Sequence, residues 1–210
     1  MKDLFSKEKW KFLLYTLTHP VEAFYDIRHF EKGSVAISFL LVVVFSFCYS
    51  MNRISASFVV NDVDARLVNS LTELFAVLLL FGLICIGNWS ITCLMEGEGR
   101  LKDIAIAIGY SLVPATLGFI IGTLFSKIVA SDEEAFYFMI VGVGIAYTLF
   151  MMLVGIMQVH NYSLGKTLIT IFLTFIAMFI IIFISLLLFD LISQVANFLK
   201  SIYQEIMFRN

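Results

Sequence analysis

Five long apolar runs dominate the chain, at residues 34–51, 71–95, 104–128, 135–158 and 164–189. Each is close to the roughly 20 residues an α-helix needs to cross a hydrocarbon core of about 30 Å, and each is nearly free of charge. A backbone entering lipid must satisfy its own hydrogen bonds, so runs of this length predict helices rather than open strands. The pattern therefore predicts an all-α polytopic membrane protein. It divides into an interfacial N-terminal segment (1–33), a domain of five transmembrane helices (34–189) and an amphipathic C-terminal helix (190–210).

Outside the runs the periodicity is amphipathic. Trp10, Leu13, Leu14 and Leu17 recur at helical spacing with Lys7, Glu8 and Lys11 on other faces, which predicts a short helix lying flat at the interface. Pro20 suits the first turn of a second helix carrying Val21, Phe24 and Ile27. Both are expected to act as interfacial anchors. Beyond the last run, Leu191, Val195, Phe198, Leu199, Ile202 and Ile206 recur among Gln194, Asn197, Lys200 and Glu205. This stretch either continues the fifth span or bends onto the membrane, and its stripe also suits a partner subunit.

Within the third run, Ala107, Ser111, Ala115, Gly118, Gly122 and Ser126 share one helix face. Small residues let helix backbones approach closely in lipid, so this span is expected to be the central packing helix of the bundle. A Leu at Phe119 is expected to be tolerated if that side faces lipid. Pro114 removes a backbone donor and should kink the span, with neighbours or Ser111 serving the freed carbonyl.

Composition agrees with the pattern: 60% of residues are hydrophobic and mean hydropathy is +0.96. A net charge of -2 offers no basic surface for nucleic acid. The cationic residues bias the orientation. Nine of the 14 Lys and Arg, including Lys2, Lys7, Lys9, Lys11, Arg28, Lys32, Arg100, Lys102 and Lys166, fall on the N-terminal side of a five-span arrangement. The positive-inside rule then gives an N-in, C-out topology.

Few polar groups lie at membrane depth. Asn88, Tyr110, Ser111 and Tyr147 do, whereas Glu73, Lys127 and Asp190 lie near span ends. Without buried carboxylates an ion-driven pump is disfavoured, and Asn88 is expected to bond between helices. His19, His29 and His160 lack neighbours at metal-ligand spacing, Cys48, Cys85 and Cys93 lie inside spans, and no nucleophile has an evident base. No catalytic, cofactor or metal site is expected.

The loops carry the family evidence. Glu96-Gly97-Glu98-Gly99-Arg100-Leu101-Lys102-Asp103, followed by Gly109-Tyr110 and Pro114, resembles the Gly-rich loop, Asp and Gly-Tyr-x-x-x-Pro element of the Yip family (Ypt/Rab-interacting membrane proteins). His160 with Ser163 resembles that family's His-x-x-Ser linker, and Pro20 with Phe24 its Pro-x-x-x-Phe element. In physical terms, Gly97 and Gly99 would permit a tight turn, Asp103 would cap span three, and the Tyr110 hydroxyl would lie near Pro114. The resemblance implies a membrane bundle and, for eukaryotic members, vesicle traffic through small GTPases. The long cytosolic N-terminal region of those members is not seen here, so a prokaryotic type in the plasma membrane is expected, where relatives accompany ABC transporter systems. The resulting expectation is a non-enzymatic scaffold or accessory subunit that sits in the lipid bilayer and binds another integral membrane protein, with ABC transporter components as candidates and self-association compatible. The alternative is a small-solute or lipid transporter using a path near Asn88, Pro114 and Tyr147.

The charge bias makes a direct prediction. In a background without native thiols, cysteine at position 98 should label only from the cytoplasm, and cysteines at 132 and 205 only from outside. Reversed labelling at any of the three would exclude the five-span N-in arrangement.

Overall fold

The computed structural model describes residues 6–208 apart from the side chains of Ser131 and Ile206, so Lys2 and Arg209 of the charge count lie outside the described residues. These residues form eight α-helices and no strand: α1 Lys7–Thr18, α2 Pro20–Phe30, α3 Val35–Ser55, α4 Ser70–Leu94, α5 Leu101–Ser111, α6 Val113–Phe125, α7 Glu134–His160 and α8 Leu164–Phe208. Five stretches are long and apolar enough to span a membrane: α3, α4, α5 with α6, α7, and α8. Each corresponds to one expected run. The third starts earlier than its apolar residues because Arg100 and Asp103 begin the helix ahead of them.

The third span is central. In its most apolar window 67% of residues are buried, against 17–33% in the other four. It breaks at Leu112, as Pro114 demands. Leu112 N–H turns back to Gly109 O (3.3 Å), and Ala115 N–H donates across to Thr148 Oγ1 of α7 (3.0 Å). Ser111 does not serve the proline, because its hydroxyl donates to Ala107 O (2.7 Å).

Close approach of α6 and α7 depends on glycine. A Cβ added to Gly118 would lie 3.3 Å from Gly144 Cα, and one on Gly144 would lie 2.9 Å from Pro114 O. Gly122 completes the seam, with a Cβ there falling 2.8 Å from Val141 Cγ2. The expected small-residue face is thus half of a contact whose other half is Gly144. Phe119 does not face lipid: it is buried against the rings of Phe45 (5.9 Å) and Tyr49 (5.6 Å) of α3. At that same end Asn52 of α3 accepts from Tyr137 (3.0 Å) and donates to Thr123 (2.8 Å), joining α3, α6 and α7.

The N-terminal helices correct the expectation of two interfacial anchors. Ala23, Phe24 and Ile27 of α2 are fully buried against the ends of α5 and α7, so α2 is a structural part of the bundle. Helix α1 is intermediate, with Leu13 and Thr16 buried and Trp10 and Leu14 exposed. Its Lys9 Nζ donates to the carbonyls of Glu31 (3.2 Å), Lys32 (2.8 Å) and Gly33 (2.9 Å), where α2 ends and leaves carbonyls unpaired.

Of the two courses open to the C-terminal stretch, it continues the fifth span. No glycine or proline follows Gly165, and α8 runs unbroken for 45 residues, about 67 Å at 1.5 Å per residue. It packs on α4 and α7 through Thr167, Thr170, Thr174, Ala177 and Met178, and no described residue beyond Met178 is buried.

The glycine seam yields a stability test. Ala in place of Gly usually favours a helix by about 0.5–1 kcal/mol, but at position 144 the new methyl meets backbone. Gly144→Ala and Gly118→Leu should therefore lower detergent thermal stability by about 1–3 kcal/mol, as overpacking does. Gly142→Ala, which meets nothing within 4 Å, should be neutral or stabilising.

Candidate functional site

Three spans and a loop converge on His160, the last residue of α7. The 95–100 loop starts where α4 ends: Glu96 adopts a left-handed φ of 56° and Gly97 N–H returns to Thr92 O (2.8 Å). This turn lays the loop across the end of α7. Gly99 N–H then donates to His160 Nδ1 (3.1 Å), while Nε2 lies 3.2 Å from Asn88 Oδ1. An imidazole that accepts at Nδ1 carries its proton at Nε2 when neutral, so Nε2–H donates to Asn88. Asn88 Nδ2 donates in turn to Thr174 Oγ1 of α8 (3.2 Å), whose hydroxyl donates to Thr170 O (2.7 Å). The result is a one-directional relay of hydrogen bonds from loop to α8, with Asn88, His160 and Thr170 all essentially inaccessible to solvent.

Gly97 and Gly99 serve this clasp through space rather than through turn conformation, which corrects the expected role. No described glycine has positive φ. A Cβ on Gly97 would fall 2.6 Å from Tyr162 Oη and 2.7 Å from His160 Nδ1, and one on Gly99 2.6 Å from His160 Cε1. Tyr162 stacks on His160 (5.3 Å between centroids), donates to Met95 O (3.0 Å) and lies under the Lys166 ammonium (4.3 Å). Burial, followed by the nearby Cys93 and Glu96, holds its phenol above the usual pKa. Ser163 is the N-cap of α8, where its hydroxyl accepts from Lys166 N–H (3.4 Å).

Asp103 caps α5 from within the first turn. It accepts from Arg100 N–H (3.3 Å) and from Arg100 Nε (2.8 Å). Arg100 and Lys102 also bridge to Glu31 at the end of α2, at 2.7 and 3.0 Å, so the Gly-rich loop is tied to the N-terminal helices. The Glu31 carboxyl is held below the usual carboxylate range by the Lys102 hydrogen bond first and then by Arg100. Tyr110 does not reach toward Pro114; its hydroxyl accepts from Ser34 N–H (3.2 Å) at the start of α3. Gly109 admits Ser38, whose Oγ a Cβ there would overlap, and the Ser38 hydroxyl donates to Ala105 O. Pro20 opens α2 and Phe24 fills the core beside Gly155.

The motif residues 97, 99, 103, 160 and 163 thus gather at one end of the bundle, where sequence had left Asn88, Tyr162, Thr174 and Glu31 out of the group. The expected polar path does not assemble: Asn88 is consumed by His160 and Thr174, Tyr147 donates to Leu17 O (2.6 Å), and Pro114 borders an apolar groove between α6 and α7. Both nitrogens of His160 are engaged by protein groups, so this arrangement fastens helices. Among the described residues no three His, Cys, Asp or Glu side chains converge as metal ligands.

His160→Leu would orphan Gly99 N–H and Asn88 Oδ1, each at about 1–3 kcal/mol. Asn88→Leu should cost a similar amount, and the double variant should cost clearly less than the sum, since both remove one relay. Strict additivity in detergent unfolding would show that the two side chains act separately.

Residues 14–187 match the Yip1 domain. No curated protein and no solved structure gives a match. The matched stretch covers most of the chain and contains both the clasp around His160 and the Gly118–Gly144 seam; this five-span protein belongs to the Yip1-domain family of membrane proteins.

Proposed function

We propose that this chain is a non-enzymatic membrane scaffold or accessory subunit that engages another integral membrane protein through the free half of α8. One observation carries the reading. Past residue 189, by which point α8 already has the length a span needs, Leu191, Val195, Phe198, Leu199 and Ile202 form an exposed apolar stripe, and no described residue of α8 beyond Met178 is buried. Lipid can cover the earlier exposed residues such as Phe179 and Phe183, but a straight continuation of a span stands away from the bilayer, and apolar surface there is the mark of a protein contact. The interior polar groups support the same reading, since Asn88, His160 and Tyr147 are engaged in fastening helices. A prokaryotic plasma membrane, with the permease of an ABC-type transport system as partner, is the setting that suits a small accessory subunit of this kind.

Deleting residues 197–210, or replacing Phe198 and Ile202 with Glu, should abolish co-purification of the partner in mild detergent while the five-span core still inserts with unchanged thermal stability. Purified protein that moves a solute across liposomes unaided, and loses this on Asn88→Leu but keeps it after the deletion, would overturn the proposal.

A further inference from the structure

A groove of about 780 Å³ opens beside the turn between α2 and α3, at the level where α3 and α5 begin their spans. Its polar rim includes Lys9, Glu31 and Lys102, Ser34 lies buried in its wall, and its floor includes Val35 and Phe39, both about half exposed.

The start of α3 at this rim is unfinished. Ser34 occupies the N-cap position, yet its hydroxyl caps nothing; the side chain is 97% buried by its 3% exposure, and Oγ has no hydrogen-bond partner. A serine N-cap ordinarily accepts from the first-turn N–H groups, and an idle buried hydroxyl costs about 1–3 kcal/mol. The first internal bond of α3 is Ser38 N–H to Ser34 O, so the N–H groups of Val35, Ala36 and Ile37 have no acceptor within the helix. The groove's own lining sets Lys9 and Lys102 beside Glu31 and Asp103. Lys9 spends its hydrogen bonds on carbonyls and has no carboxylate of its own, while Arg100, behind the groove, shares Glu31 with Lys102 and pairs with Asp103.

Donors, a helix N-terminus and two lysine ammoniums above, with exposed apolar side chains below, match one chemistry at a membrane interface. We infer that this groove binds the phosphodiester of a membrane phospholipid, with the phosphate against Ser34, the first turn of α3 and Lys102, and an acyl chain along Val35 and Phe39. The apolar floor selects a lipid over a free anion. This inference is independent of the partner proposed for α8.

The test uses the full purified chain in detergent with three probes: dioleoyl phosphatidylglycerol, dioleoylglycerol with the same tails but no phosphate, and inorganic phosphate. Phosphatidylglycerol should raise the thermal midpoint and persist as a single adduct in native mass spectrometry, whereas the other two should do neither. Lys102→Gln and Ser34→Val should each weaken phosphatidylglycerol binding by about tenfold, the loss expected for one charge-assisted or helix-terminal hydrogen bond to phosphate. Lys200→Gln should leave it intact. Lys102 is partly exposed, so its variant carries the test even if Ser34→Val proves unstable without lipid. Equal stabilisation by dioleoylglycerol, reproduction of the shift by inorganic phosphate, or undiminished binding in Lys102→Gln would each overturn the inference.

Discussion

A polar side chain placed at membrane depth has no water to fall back on, so its donors and acceptors must be answered by other parts of the same protein. Asn88 is the clearest instance. Its carbonyl oxygen and amide nitrogen are answered from α7 and α8, and the histidine that answers the first is itself fixed by a loop amide. Each partner has one orientation that satisfies it, so the relay sets the relative rotation of α4, α7 and α8 in a way that apolar packing alone would not. Around the proline break the same constraint recruits Thr148 to serve Ala115 N–H. Hydrogen-bond satisfaction therefore sets the register of the bundle, and the glycine contacts set how closely it packs.

Those two devices operate at different places. The glycine seam joins α6 to α7 in the half of the membrane away from the N-terminal helices, where Tyr137 and Asn52 also meet. The clasp, the Arg100–Glu31–Lys102 cluster and the burial of α2 hold the opposite end. α7 belongs to both, and it is the element that carries one set of contacts to the other.

The spans were legible in the sequence because length and hydropathy are properties of contiguous residues, and the centrality of the third span because its small residues repeat at helical spacing. The clasp was less so. Asn88 and His160 are 72 positions apart, and no local period pairs them. The loop motif pointed to Gly97, Gly99 and Asp103, but a glycine's need for space looks the same in sequence as its need for positive φ, and here the first was at work. Phe24 and Ile27 read as an interfacial face because an amphipathic helix shows the same stripe whether it meets lipid or protein. Gly144 was missed because it stands in an apolar run two residues from Gly142, which touches nothing, and no pattern in the run tells the two apart.

The length of α8 has a mechanical consequence. A rigid rod of about 67 Å turns each degree of tilt at its root into roughly 1 Å of travel at its tip. Its root is the threonine-lined contact with α4, one hydrogen bond away from Asn88 and two from His160. Rocking of the rod would bear first on Ala177 and Met178 at the edge of that contact and next on Thr174, whose hydrogen bond to Asn88 leads on to His160 and the Gly-rich loop at the opposite end of the bundle from the tip.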